Sequence, residues 1–414
     1  MNEIERMIQE LCPDGVEFRK LGEIGTITRG SGIQKKDFVE SGFPCIHYGQ
    51  IHTYYGKSAS KTISFIDETL AKGLRKAQKG DIILATTSED TKGSCTAMAW
   101  LGDGEVAVSS DAVIFRHNQN PMYITYQFYT YTFALFKQKS CTGTKVVRLS
   151  PNKLLDFEIP VPPLPIQDKI VQFLTKFDAL EAELEAELEA RRKQYEYYRN
   201  KLLTFTPPNE QDVRWYTLGE VATIKGRIGF RGYTRRDLVE AHKGAISLSP
   251  SNIQEGILNL ESCTYISWAK YEESPEIMAK VGDIVFTKTA SVGKTALIKS
   301  LAEKATINPQ LVLLKELKCD AQYLTYVMQA AYFQNEVRKI TGIGSVPNVP
   351  QRALADIKIP LPPLAEQRRI AAILDKFEAL TTSLQDGLPA EIAARRQQYE
   401  YYREKLLSFN RKTA

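Results

Sequence analysis

The chain of 414 residues has only four histidines and six cysteines. The histidines are His47, His52, His117 and His242, and no cysteine pair accompanies them to complete a zinc-ligand motif. Cys12, Cys45, Cys95, Cys141, Cys263 and Cys319 are scattered without a CxxC, which argues against a zinc site and a disulfide framework and for reduced, structural thiols. No apolar run reaches the roughly 18 residues of a membrane span. The start Met1-Asn2-Glu3-Ile4-Glu5 has neither the charge nor the apolar core of a signal peptide, so a cytoplasmic chain without a membrane segment is expected. Catalytic signatures are also missing. Lys288-Thr289-Ala290-Ser291-Val292-Gly293-Lys294-Thr295 contains Gly-Lys-Thr, but Lys288 stands where a phosphate loop needs its first glycine. There is no Asn/Asp-Pro-Pro-Tyr segment of the amino-methyltransferase kind. A non-catalytic chain is expected, with no catalytic, cofactor-binding or metal residues of its own. The excess of base is mild, 54 Lys and Arg against 49 Asp and Glu, which permits nucleic acid without demanding it.

What the chain does have is a long repeat. Ile159-Pro160-Val161-Pro162-Pro163-Leu164, followed by Gln167, Ile170, Leu174, Phe177 and Leu180, returns 200 residues later as Ile359-Pro360-Leu361-Pro362-Pro363-Leu364, then Gln367, Ile370, Leu374, Phe377 and Leu380. Arg191 to Phe205 returns as Arg395 to Phe409 with twelve of fifteen positions identical, at an offset of 204, so the second copy carries four extra residues. In the first copy, apolar residues from Ile166 to Phe205 step mostly by three or four, the stripe of an amphipathic helix roughly 60 Å long with Pro165 in its first turn. A stripe that long needs a partner helix, which the second copy supplies. The predicted seam and partner-facing residues are Phe177, Leu180, Leu184, Leu188, Tyr195 and Tyr198 in the first copy. In the second they are Phe377, Leu380, Leu384, Tyr399 and Tyr402. Gly387-Leu388-Pro389 is a breaker found only in the second copy, and a kink there could absorb the four extra residues as a bulge. Glu181-Ala182-Glu183-Leu184 is repeated at once as Glu185-Ala186-Glu187-Leu188. Each such unit adds about 6 Å of helix against roughly 3.4 Å per base pair of DNA, so the segment reads either as a ruler or as an ordinary solvated acidic face.

The globular stretches, 1–158 and 206–358, differ in most residues yet share landmarks. Leu21-Gly22-Glu23 returns as Leu218-Gly219-Glu220, and Gly80-Asp81-Ile82-Ile83 as Gly282-Asp283-Ile284-Val285, each a turn into a strand. Both stretches also hold a short apolar run, Pro44 to Ile51 and Ala245 to Ile253, and β-branched runs such as Val106 to Phe115 and Gln310 to Leu314 predict mixed α/β domains rich in short strands. The C-terminal KLLSFNRKTA joined to the N-terminus recreates the internal passage from Leu202 to Leu218, so the chain reads as a ring cut open. Groups suited to DNA also occur twice. The first half offers Arg29, Lys35, Lys36, Thr86, Thr87, Ser88, Thr91, Lys92, Lys145 and Arg148; the second offers Arg227, Arg231, Arg235, Arg236, Lys288, Thr289, Ser291 and Lys294. Lys and Arg suit phosphates, and Ser, Thr and Arg can meet base edges. Any one of them reads as well as a solvated loop residue; their recurrence in matching places favours the DNA reading of the set.

The paired Ile-Pro-x-Pro-Pro-Leu blocks, the Gln-Tyr-Glu-Tyr-Tyr-Arg helices, the tetrapeptide repeat and the two Leu-Gly-Glu starts together resemble the specificity (S) subunits of type I restriction-modification systems, most nearly the IC subgroup. The resemblance covers essentially the whole chain. It implies an α+β fold: two mixed α/β target-recognition domains (1–158 and 206–358) separated by a pair of long antiparallel coiled-coil helices (159–205 and 359–414) in a pseudo-two-fold cyclic arrangement. It further implies that each domain reads one half of a split double-stranded DNA target while the helices set the unread gap. Two methyltransferase (M) subunits, which bind S-adenosylmethionine, and ATP- and Mg-dependent restriction (R) subunits would supply the chemistry. The rival reading is a coiled-coil interaction scaffold that binds DNA without sequence preference.

Overall fold

The computed structural model describes residues 2–91, 93–143, 146–205, 213–227, 232–342, 344–382 and 387–412. The frame is carried by helices α1 (Pro121–Gln127), α2 (Tyr131–Ser140), α3 (Leu164–Leu202), α4 (Ala321–Gln329), α5 (Ala331–Ile340), α6 (Leu364–Thr382) and α7 (Leu388–Leu407). Two compact units result, Met1–Glu183 with Ala393–Ala414, and Leu184–Ile392, so the division falls inside the long helices. Pro165 and Pro389 both sit in the first turn of their helices, where the missing N–H costs nothing. The expected breaker Gly387-Leu388-Pro389 stands where α7 begins, while residues 383–386, with Leu384, lie outside the described residues.

In the first unit a five-stranded sheet runs in the order Gly25–Arg29, Ala112–His117, Ile82–Ala85, Thr96–Trp100, Ser58–Ala59. A second holds Phe38–Val39, Ser64–Ile66, Phe43–Ile46, Val106–Val108 and Lys76–Ala77. The second unit repeats the plan with four strands in each sheet: Thr223–Gly226, Leu311–Lys315, Ile284–Thr287, Thr295–Leu297, and Leu238–Val239, Thr264–Ile266, Ala245–Leu248, Ala305–Ile307. One expected strand differs: Val106 to Phe115 is broken at Ser109–Asp111 into strands of different sheets. The apolar run Pro44 to Ile51 is a strand as far as Ile46 and then turns into the helix Tyr48–Thr53. At the turn into that helix the Ser109 hydroxyl accepts from Tyr48 N–H and the capping ring of His47 from Gly49 N–H, so these backbone groups are met outside a strand ladder.

The landmarks have physical causes. Gly80 and Gly282 have φ of +94° and +93°, the left-handed conformation that a side chain resists. Asp81 then accepts from Gln78 N–H and pairs with Arg116, while Asp283 accepts from Lys280 N–H and pairs with Lys315. Glu23 and Glu220 accept the Lys20 and Thr217 N–H groups that start a helical turn. The repeated Gln167 and Gln367 are buried. Gln167 accepts from Asn120 N–H at 3.0 Å and donates to the Pro162 carbonyl at 2.8 Å; Gln367 does the same with Asp320 N–H (2.9 Å) and Pro362 (2.8 Å). Each glutamine thus bolts the proline block to the residue capping α1 or α4.

The long helices meet within each unit as antiparallel halves. In the first unit Phe173 and Phe177 of α3 pack against Tyr402 of α7 with ring centroids 5.5 and 5.7 Å apart, and farther along α3 Glu181 pairs with Arg396. In the second unit Tyr198 of α3 stacks on Phe377 of α6 at 5.4 Å. The partner helix also caps the domain helices: Tyr131 N–H, which opens α2, donates to Glu404, and Ala331 N–H, which opens α5, donates to Asn200. The C-terminal strand end returns to the N-terminal one, with Val16 N–H donating to the Asn410 carbonyl and Lys412 N–H to that of Val16.

Each domain is bound to its helix through a buried phenol. Tyr126 donates to Asp178 at 2.6 Å, and Lys57 reaches the same carboxylate at 2.6 Å. Tyr326 donates to Asp375 at 2.7 Å, and Lys299 pairs with Glu378 at 3.3 Å. The seam forecast needs one correction. Leu380 is 51% exposed, while Glu378 and Thr381 are buried at 8% and 1%. The inward line of α6 runs through Ile370, Leu374, Glu378 and Thr381 because Lys299 gives Glu378 a partner there.

Two outcomes follow. Replacing Gln167 with Leu strands the Asn120 N–H and the Pro162 carbonyl, and chemical denaturation should show a loss of about 1–3 kcal/mol. Burial raises the Glu378 carboxyl above its ordinary 4.5. Its folded form therefore holds a proton more readily than its unfolded form, and the stability so contributed is present at low pH and lost as pH rises through the raised value. The melting-temperature difference between Glu378→Gln and the wild type should accordingly move in favour of the variant as pH climbs above 4.5.

Candidate nucleic-acid interface

Strand register brings the separated loops of each domain to one end of its main sheet. Val113 pairs with Arg29 and Ala112 with Ala85, so the loops that follow Arg29 and Ala85 leave from the same edge. A third segment joins them: Val147 pairs with Ser88, Arg148 with Thr87, and Leu149 N–H donates to the Thr86 carbonyl. Thr142 and Arg148 exchange both backbone hydrogen bonds, closing that segment into a loop. In the second domain Gly226 pairs with Val312 and Thr287 with Leu311, which sets the loop Lys288–Lys294 at the corresponding edge. There Val349 N–H donates to Lys288, Ala290 N–H to Pro347, and Thr289 Oγ1 to Asn348 at 2.9 Å. Lys288 to Lys294 is the connection between two antiparallel strands, not the strand-to-helix turn of a phosphate loop.

The structure sorts the sequence candidates. Arg29 and Arg148 are exposed, with Arg29 Nε donating to the Ser110 carbonyl at 2.8 Å. Thr86, Ser88 and Thr91 are half-buried at the loop base, and Thr86 Oγ1 donates to the Asp111 carbonyl at 3.1 Å. Lys35 and Lys36 lie elsewhere, exposed on a one-turn helix whose Asp37 accepts from Gln34 N–H. Arg235 and Arg236 occupy the same place in the second domain, on a turn closed by Asp237 and Thr234. Both turns thus present two adjacent cations. Ser291 and Lys294 are exposed, Lys288 and Thr289 half-buried. Lys92, Lys145 and Arg231 lie outside the described residues.

Two candidates turn inward. Thr87 is buried at 8%, its hydroxyl 3.5 Å from Asp111 and its carbonyl 3.1 Å from His52 Nε2. Arg227 is buried at 5%; it donates to the Ile307 carbonyl and Thr306 and lies 5.4 Å over the Tyr233 ring. Its guanidinium ties the early loop to the second sheet, because a desolvated cation must find acceptors. Sequence reasoning overlooked Val146 and Val346, which stand 48% and 55% exposed on the loops beside the strand ends. Their shared offset of 200, that of the proline blocks, was the available signal. Ala290 holds φ of +64° without being glycine, so the second loop keeps a strained backbone at this edge.

The arrangement offers exposed cations and hydroxyl groups on short loops braced by rigid sheet ends, and it does so once per domain. Among the described residues no group of three or more His, Cys, Asp and Glu side chains could hold a metal ion, and no helix is long and apolar enough to cross a membrane. Arg227→Met should lower stability by about 1–3 kcal/mol in denaturant titrations, whereas Arg235→Ala with Arg236→Ala should stay within about 0.5 kcal/mol of the wild type.

Comparison with known proteins gives a consistent picture. Residues 13–190 and 211–394 each match the family model described as Type I restriction modification DNA specificity domain. The EcoR124I/EcoR124II type I restriction enzyme specificity subunit of Escherichia coli is 36% identical over 256 residues, 59% of this chain and 60% of that protein. The putative type I restriction enzyme specificity subunit S.HindORF215P of Haemophilus influenzae is 31% identical over 285 residues, 65% of this chain and 68% of its own length. In fold, the chain resembles a crystal structure of a type I restriction-modification S subunit from M. genitalium (TM-score 0.52, 14% identity, 95% and 96% coverage). It also resembles a chain from a structural study of complex assembly and conformational transition in the type I R-M system (TM-score 0.60, 19% identity, 95% and 97% coverage).

Proposed function

Because the chain belongs to the type I restriction-modification DNA specificity family, we propose that it is the DNA-reading subunit of such a system and that each domain reads one half of a bipartite duplex target. The observation that supports this most directly is the twofold recurrence of the strand-end loops, one basic and hydroxyl-bearing set per domain. A reader of this kind needs no nucleophile or cofactor. Adenine-N6 methylation would come from two methyltransferase subunits with S-adenosylmethionine, and cleavage from restriction subunits using ATP and Mg. The two units each carry the same helix seam and the same capping contact, Tyr131 with Glu404 and Ala331 with Asn200, which suits two identical partners.

The finer placement in the IC subgroup is supported by the tandem Glu-Ala-Glu-Leu units and the Arg-x-Gln-Tyr-x-Tyr-Tyr-Arg helices. Leu184 is buried and Leu188 half-buried, while Glu187 and Glu189 pair with Arg191 and Lys193 one turn on. An added unit would therefore extend α3 without leaving an unpartnered apolar residue on its outer face. Such insertions would lengthen the unread gap in steps of one to two base pairs.

Co-expression with a candidate methyltransferase subunit in a methylation-free host, followed by single-molecule mapping of N6-methyladenine, should reveal a split motif. Exchanging residues 206–358 should then change one half of it only. A pair of proteins that co-purify yet methylate no defined motif would favour the scaffold without sequence preference.

A further inference from the structure

Within the second unit a groove of about 830 Å³ lies between the C-terminal half of α3 and the domain beside it. Arg192, Tyr195 and Arg199 line it from the helix; Glu255 and Gly256 line it from a hairpin tip, and Gly293 and Lys294 from the candidate reading loop. Three cations face one carboxylate among these described residues. Arg199 stacks 5.3 Å over the Tyr195 ring, and its Nε is buried without a hydrogen-bond acceptor. Arg192 holds Glu255 at 2.9 Å, but both side chains are about half exposed, so this pair is weak and readily displaced. Lys294 is exposed, and its contact with the Pro250 carbonyl is long at 3.5 Å.

An unpaired guanidinium N–H and two loosely engaged cations call for an anion with several oxygens. The groove is also continuous with the loop whose other end, Lys288 and Thr289, sits at the reading edge. Duplex DNA carries a negative charge about every 1.7 Å, so a backbone followed from that loop presents phosphates along its course. We infer that the groove takes the phosphodiester backbone beside the half-site read by the second domain, with Arg192 and Arg199 of the long helix as phosphate contacts. This rests on the DNA-reading role above and deepens it: the helix is a sequence-independent grip as well as a spacer. The contact adds affinity and register, and leaves the motif unchanged.

The test is fluorescence anisotropy of the full chain with its methyltransferase partner on two labelled duplexes, one with the mapped split site and one scrambled, between about 50 and 200 mM KCl. Arg192→Gln with Arg199→Gln should weaken binding to both duplexes by the same factor and make the slope of log affinity against log salt shallower by about two. Arg192→Lys with Arg199→Lys should restore the slope. If the double glutamine variant melts early, the exposed Arg192→Gln alone carries the test, with a change of about one. An unchanged slope alongside an intact preference for the split site overturns the groove and leaves the reading role standing. A shallower slope in a protein that never prefers the split site does the reverse. A variant that no longer assembles with its partner shows the groove to be a protein interface, which also overturns the inference.

Discussion

A buried phenol must donate its proton to something, and in both domains the acceptor is a carboxylate on a long helix. Tyr126 and Tyr326 are fully buried, and their hydroxyls reach Asp178 and Asp375 at 2.6 and 2.7 Å. Leaving either hydroxyl unmet would cost about 1–3 kcal/mol, so rotation of a domain on its helix is opposed by a directional bond as well as by apolar contact. Lys57 and Lys299 reinforce the joint from different parts of the two domains, one before a sheet-edge strand and one just after a sheet strand. The two domains thus meet the same need with equivalent tyrosines and with acceptors about one helical turn apart in the repeat. The angle of each domain on its helix, and with it the direction of each set of loops, depends on these joints.

Around that joint the two units repeat a small set of polar contacts on different apolar surroundings. The glutamine bolts, the glutamate caps of Leu-Gly-Glu and the aspartates that follow Gly80 and Gly282 all satisfy backbone N–H groups that burial would otherwise strand. The capping of α2 by Glu404 and of α5 by Asn200 shows that each domain also takes one acceptor from the far half of the other repeat. Such a contact ties domain and helix pair into one folding unit. It also makes the loops at the sheet ends, which carry few of these bonds, the part of each domain free to differ.

The same division bears on recognition. Under the proposed reading role, readout would need side chains set on a backbone that does not move, and the strand-end loops offer strained or braced segments such as Ala290 and the Thr142–Arg148 closure. Affinity needs only charge near phosphates, which a constant helix can provide. Arg192 and Arg199 on α3 would separate the two tasks, leaving the loops to carry base preference.

Much of this was legible in the sequence, because repetition exposes constraint. The proline blocks, the long stripe and the ring-like closure were read from offsets of 200 and 204, and each has a counterpart in the Gln167 and Gln367 bolts, in α3, and in the pairing of Val16 with Asn410 and Lys412. Residues whose role depends on a distant partner were not legible. Glu378 and Thr381 were missed because a polar residue breaks an apolar stripe, and it takes partners such as Lys299, seventy-nine residues away, to make the burial of Glu378 tolerable. Arg227 reads as a loop cation until Ile307 and Thr306 close over it. The sequence alone determined the periodic elements and their duplication, since these rest on spacing along one chain. Only the tertiary structure decided which cations stay exposed, since that depends on where charges lose water and which acceptors arrive from elsewhere in the fold.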